Sequence, residues 1–135
     1  MSAINRLPLF DLDGTLVNSA PDLAGAANDL RADHGLPPLP LAALRPMVGS
    51  GARGMVGVAF GVSPADEAFS GLKDAFLARY AQRLLVHTRV FDDMIPVLDA
   101  LDRADRPWGI VTNKAMRFAQ PLVVGLGLQA RAAVL

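Results

Sequence analysis

Cysteine is absent from this chain of 135 residues, so disulfide frameworks, thiolate metal sites and thiol nucleophiles are excluded together. Charge of one sign is lacking as well. Thirteen basic and thirteen acidic residues cancel, and no five like charges stand in a row, so nothing steers the chain toward nucleic acid or an anionic membrane. No apolar run approaches the roughly twenty residues of a membrane span. Met1 to Arg6 carry one positive charge, and the apolar stretch that follows is broken by Pro8 and Asp11, too short and too polar for a secretory signal. The expectation is a soluble, cytoplasmic protein with neither a membrane nor a nucleic-acid partner. Repeats and low-complexity tracts are missing too. The length suits one compact domain, with or without a small inserted lobe, burying roughly two-thirds of the unfolded chain's surface.

What is present is concentrated near the amino end. Phe10-Asp11-Leu12-Asp13-Gly14-Thr15-Leu16-Val17 sets two carboxylates two residues apart, directly after a short apolar run and directly before a glycine turn. If Leu7 to Phe10 form a buried strand, both acids emerge at its carboxyl end, in the crevice where open α/β sheets bind ligands. The side-chain period of two, with the unwinding that Gly14 permits, lets both face one small substrate.

Ser19-Ala20-Pro21-Asp22 reads as a helix start, Ser19 capping and Asp22 serving as the acid of a capping box. Leu23, Ala26, Ala27 and Leu30 recur at helical spacing until Gly35, and Pro37, Pro38 and Pro40 end the element. A short helix is expected over Leu41 to Arg45 and another over Ala52 to Phe60, weakened by glycines. Ser63-Pro64-Ala65-Asp66 repeats the start signal, and a stripe from Phe69 through Phe76 and Tyr80 to Leu84 predicts a long helix to about Leu85. After Asp93 the pattern alternates: helix (Met94, Val97, Leu98, Leu101), strand (Trp108 to Thr112), helix (Met116 to Val124) and strand (Ala132 to Leu135). Such alternation implies a parallel sheet. The predicted fold class is therefore α/β, a Rossmann-like parallel core of residues 1–17 and 89–135 interrupted by a helical cap of residues 18–88. Right-handed crossovers place the strand ending at Thr112 beside the strand ending at Asp11.

Gly49-Ser50-Gly51-Ala52-Arg53-Gly54 spells the dinucleotide fingerprint, but Pro46 spoils any strand before it and no βαβ unit surrounds it. It is read as a tight turn opening a cap helix, from which Arg53 can reach a substrate anion. His34 precedes the Gly35 helix stop and is expected on the terminal carbonyls. His87 has no partner spacing that suggests a metal site.

The first segment closely resembles the leading signature of the haloacid dehalogenase superfamily, whose members are mostly magnesium-dependent phosphatases. Gly109-Ile110-Val111-Thr112-Asn113-Lys114 resembles the second, a hydrophobic strand ending in a hydroxyl residue. Across the chain, Pro21-Asp22-Leu23, Val48-Gly49-Ser50-Gly51-Ala52 and Val111-Thr112-Asn113-Lys114 are similar to phosphoglycolate phosphatases. Phe76-Leu77-Ala78-Arg79-Tyr80, Trp108-Gly109 and Arg117-Phe118-Ala119 are closer to the N-acetylmuramic acid 6-phosphate phosphatases.

The resemblance implies that Asp11 attacks phosphorus to form an aspartyl-phosphate, while Asp13 protonates the leaving alkoxide and then activates water. It implies phosphate binding by Thr112, Asn113 and Leu12. Mg2+ would be held by Asp11 and Asp13, the latter through its backbone carbonyl. Arg53 and Lys114 are candidate substrate contacts, Lys114 being as well suited to solvent. The implied partner is a small phosphorylated metabolite such as 2-phosphoglycolate or a sugar-acid phosphate. Relatives continue into a further lysine and a glycine-aspartate segment beyond the position of Leu135. A truncated, inactive fragment is therefore the alternative expectation, and a phosphomutase a third.

Overall fold

A computed structural model describes residues 7–128. The elements in order are β1 (Leu9–Asp11), β2 (Val17–Asn18), α1 (Ala20–Asp33), α2 (Leu41–Leu44), a 3-10 segment (Arg45–Ser50), α3 (Gly51–Phe60), α4 (Glu67–Ala81), β3 (Arg89–Val90), α5 (Ile95–Arg103), β4 (Gly109–Val111) and α6 (Met116–Gly125). The strand expected over residues 132–135 lies outside the described residues. Contacts divide the chain into two compact units, one from the described parts of Met1–Asn18 and Arg89–Leu135, the other Ser19–Thr88.

The first unit is the α/β one. β1 and β4 pair in parallel with Leu9 opposite Gly109, Phe10 opposite Ile110 and Asp11 opposite Val111. Pro8, which has no N–H to give a ladder, stands at the strand entrance and contributes only its carbonyl, to the Gly109 N–H at 2.9 Å. Alternation sends Phe10 and Ile110 toward the core, where Leu12, Leu16, Val17, Leu98, Trp108, Ala119, Val123 and Leu128 are buried with Ile110. Each large member adds about 1.5–3 kcal/mol of burial. The indole of Trp108 donates to Asp102 Oδ1 at 3.0 Å, so its polar edge is satisfied while the ring packs edge-on against Phe10. β2 and β3 form a short antiparallel ribbon, Val17 opposite Val90 and Asn18 opposite Arg89.

The second unit is helical. α1 buries Ala20, Leu23, Ala24, Ala26, Ala27 and Leu30, α3 buries Met55, Val56 and Ala59, and α4 buries Phe69, Phe76 and Tyr80. The glycine-rich run is a turn followed by a helix. Gly51 takes φ +67, and a Cβ on Gly54 would stand 2.6 Å from Ser50 Cβ. The 3-10 segment, and not a strand, leads into it, so the phosphate-cradling geometry of a dinucleotide fold is absent among the described residues.

Two helix starts differ from the sequence expectation. Ser19 makes no side-chain cap bond to α1, and Asp22 is not the acid of a capping box. Its carboxylate is fully buried, and Oδ2 accepts from the His87 N–H (2.8 Å), the Thr88 N–H (2.8 Å) and the Thr88 hydroxyl (2.7 Å). Donors 65 and 66 residues away outcompete the local motif. Arg83 Nη2 lies 3.7 Å from Oδ1, and both Oδ1 and Arg83 Nε are buried without a hydrogen-bond partner. Second, Ser63 to Asp66 close a turn, the Ser63 N–H donating to Asp66 Oδ2 at 2.7 Å, so α4 begins only at Glu67. It also ends at Ala81, leaving Leu84 and Leu85 half-buried outside the helix. His34 fits its expectation, Nδ1 meeting the Leu30 carbonyl at 2.9 Å.

Candidate active site

The carboxyl ends of β1 and β4 lie side by side, so the residues that follow them share one edge of the sheet. Asp11 is the last residue of β1 and is exposed, as the ligand end of a parallel strand requires. Its Oδ1 accepts the Leu12 N–H at 3.0 Å, which fixes the carboxylate against its own backbone. The same Leu12 N–H reaches Val111 O at 3.2 Å, so any anion contact by Leu12 competes with two acceptors already in place.

The chain then turns sharply. Gly14 adopts φ +81, its N–H bonds Val17 O at 2.9 Å, and Leu16 N–H and Val17 N–H return to Leu12 O at 3.1 and 3.0 Å. A side chain at Gly14 would resist that φ. The turn buries Leu16 and Val17 in the core and leaves Asp13 at the rim, with a side chain 9% exposed. Asp11 therefore ends the strand and Asp13 lies two residues on, in the turn that follows it.

Past β4, Thr112 is half-buried and Asn113 exposed. The Thr112 hydroxyl oxygen accepts the Lys114 N–H at 3.0 Å, a turn that keeps its own O–H available as a donor. Lys114 then folds back. Nζ stands 3.3 Å from Asp13 Oδ1, and its side chain is only 8% exposed. Burial pushes the Lys114 ammonium below its ordinary value, and the charge and hydrogen bond of Asp13 oppose that shift. Simple solvation, one of the two readings of this lysine, is thus replaced by an ion pair with the second carboxylate. Residues 13 and 114 are 101 positions apart, so no local pattern announces the pair.

Arg53 is exposed near the start of α3 and belongs to the helical unit. Among the described residues no group of three or more His, Asp or Glu side chains gathers as a metal cage. The available donors, the Asp11 carboxylate and the Asp13 backbone carbonyl, are hard oxygens. Mg2+ is commonly bound by just one or two carboxylates plus substrate phosphate and water, so the chemistry of this set fits that ion.

Comparison with known proteins identifies the family. A family model described as haloacid dehalogenase-like hydrolase matches residues 8–134. An N-acetylmuramic acid 6-phosphate phosphatase of Pseudomonas putida is 39% identical over 130 residues, 96% of this chain and 58% of that protein. A phosphoglycolate phosphatase of Xanthomonas campestris is 45% identical over 130 residues, with the same two coverages. A crystal structure of a predicted phosphoglycolate phosphatase from Haemophilus somnus superposes with a TM-score of 0.79 at 29% identity, over 95% of this chain and 60% of that one. The chain thus spans somewhat over half the length of the relatives it matches. Among the described residues no helix is long and apolar enough to cross a membrane.

Proposed function

Since the chain belongs to the haloacid dehalogenase-like hydrolases, we propose that it carries the nucleophile and the proton-transfer groups of a phosphomonoesterase acting on a small phosphorylated acid or sugar acid. The observation that carries this reading is the parallel pairing of β1 with β4, which sets Asp11 and Asp13 on the same sheet edge as Thr112.

In the first half-reaction an Asp11 oxygen forms a bond to phosphorus as the bond to the substrate's alkoxide breaks, and Asp13 gives that oxygen a proton. The Thr112 hydroxyl donates to a phosphoryl oxygen, and Asn113 adds a second donor. In the second half-reaction water attacks the aspartyl-phosphate, its proton passes to Asp13, and the electron pair of the Asp11–phosphorus bond returns to Asp11. Asp11 and the Asp13 carbonyl would hold Mg2+, which supplies charge neutralisation for the phosphoryl oxygens when bound. The named relatives support the substrate class, the first being a phosphatase of N-acetylmuramic acid 6-phosphate and the second of phosphoglycolate.

The test is phosphate release from a panel of phosphorylated hydroxy acids and sugar acids, with Mg2+ and with excess chelator. Asp11→Asn should abolish turnover, a loss of at least about a thousandfold, because no covalent intermediate can form. Turnover that survives Asp11→Asn defeats the mechanism. A protein that folds normally yet releases no phosphate from any substrate favours a non-catalytic role for this portion of the fold.

A further inference from the structure

Arg83 stands just past α4 and carries its guanidinium to α1, yet it does not close on the buried carboxylate it faces. Nη1 reaches Asp29 Oδ2 at 3.2 Å, while Nη2 stops 3.7 Å from Asp22 Oδ1, beyond hydrogen-bonding distance. Both partners are held where they are. Oδ2 of Asp22 accepts from the His87 N–H, the Thr88 N–H and the Thr88 hydroxyl, which fixes the plane of the carboxylate. The guanidinium is seated directly on α1 at Gly25, where a Cβ would stand only 2.2 Å from Cζ. This separation leaves two atoms unmet. Asp22 Oδ1, an acceptor, and Arg83 Nε, a donor, are each buried without a hydrogen-bond partner.

We infer that Asp22 Oδ1 and Arg83 Nε form the binding site of one internal water molecule, which donates a hydrogen to the carboxylate oxygen and accepts the Nε–H. The opposite senses of the two orphaned atoms select the ligand. A cation would satisfy Oδ1 but be repelled by the guanidinium and leave the Nε–H unmet, and an anion would meet the Nε–H but be repelled by the carboxylate. Only a small neutral group that both gives and takes hydrogen bonds serves the two together, and buried waters characteristically bridge polar groups that have no other partner. A polar contact stretched beyond hydrogen-bonding distance is also where such a bridge belongs. Asp22 and Arg83 are then a water-separated ion pair, and the water joins the first turn of α1 to the chain leaving α4.

The test reads cross-relaxation between water and the Arg83 Nε–H in the isotope-labelled chain. A water held in place gives laboratory-frame and rotating-frame Overhauser signals of opposite sign, whereas proton exchange or brief contact with bulk solvent gives signals of one sign. Wild type should show opposite signs at the Arg83 Nε–H. A crystal structure that resolves solvent should show a single water peak about 2.7–3.2 Å from both Oδ1 and Nε. In Gly25→Ala the new Cβ displaces the guanidinium, so the opposite-sign signal should be lost while the amide spectrum stays dispersed. The wild-type result decides by itself if that variant does not fold. Signals of one sign or none in folded wild type, a direct bond between Nε and Oδ1, an ion at the position of the peak, or an opposite-sign signal that persists in folded Gly25→Ala each overturns the inference.

Discussion

The buried carboxylate of Asp22 is the most exacting contact in the helical unit, and its removal has a calculable effect. Oδ2 alone satisfies two backbone N–H groups and one hydroxyl, at 2.7–2.8 Å, in a side chain with no exposure. In Asp22→Ala the Thr88 hydroxyl can rotate to another acceptor and the N–H of exposed His87 can turn to water, but the amide of buried Thr88 cannot, and a buried orphan costs about 1–3 kcal/mol. Arg83 also loses its buried counter-charge and keeps only Asp29 at 3.2 Å, whose side chain is 46% exposed. Losing one partner of a buried pair costs about 3–5 kcal/mol. The two effects overlap, since they arise from one group, so the expected loss is about 3–5 kcal/mol in total. With a urea slope of about 1–3 kcal/mol/M, the midpoint of unfolding should drop by about 2 M. Asp22→Asn retains an acceptor for all three donors and places an amide nitrogen near Arg83, so it should fall between the two. Amide exchange supplies the local control: protection at His87 and Thr88 should vanish in Asp22→Ala while the core amides of α4 remain protected relative to the global value. An Asp22→Ala midpoint within about 0.5 M of wild type would refute the assignment of these bonds as a main tie of the unit.

Two further substitutions test the same neighbourhood and the site. Gly25→Ala improves intrinsic helix propensity by up to about 1 kcal/mol, but its Cβ would lie 2.2 Å from Arg83 Cζ, so the variant should be less stable by about 1–3 kcal/mol in thermal unfolding. In an Arg83→Ala background the sign should reverse, and a destabilisation that persists there would assign the effect to something other than the guanidinium. Thr112→Val removes both the acceptor for the Lys114 N–H and the donor proposed for phosphate. Inhibition by inorganic phosphate should weaken about tenfold in Thr112→Val and stay near wild type in Thr112→Ser; equal weakening in both variants would count against the hydroxyl.

The parts of this molecule that sequence makes legible are those decided by near neighbours. Helices α1, α3, α5 and α6 sit where periodicity and their Gly or Pro boundaries place them, and Asp11, Asp13 and Thr112 reach one sheet edge because strand, turn and strand are each local patterns. The failures are of one kind. Ser19 and Asp22 have the spacing of a capping box, with Asp where Glu or Gln is usual, yet the carboxylate goes to His87 and Thr88 because burial makes three donors from the far end of the unit worth more than one from the adjacent turn. The start signal at Ser63 marks a turn instead of a helix for a related reason, Asp66 being spent on the Ser63 N–H. The apolar stripe through Leu84 overruns α4, since periodicity records burial and those residues stay half-buried outside the helix. Lys114 is a similar case, ambiguous by itself because its ion-pair partner Asp13 lies far off in the sequence.

The sequence contains a single tryptophan and a single tyrosine, and each lies in a different unit. Trp108 is sealed in the α/β core with its indole N–H held by Asp102, and Tyr80 is sealed in the helical unit, stacked at 6.3 Å on Phe76. Fluorescence excited at the red edge of the indole band follows one, and the second-derivative near-ultraviolet spectrum, which separates phenol from indole bands, follows the other. A natural chromophore in each half thus lets a single melt show whether the two halves come apart at one temperature or in succession, with no label and no substitution.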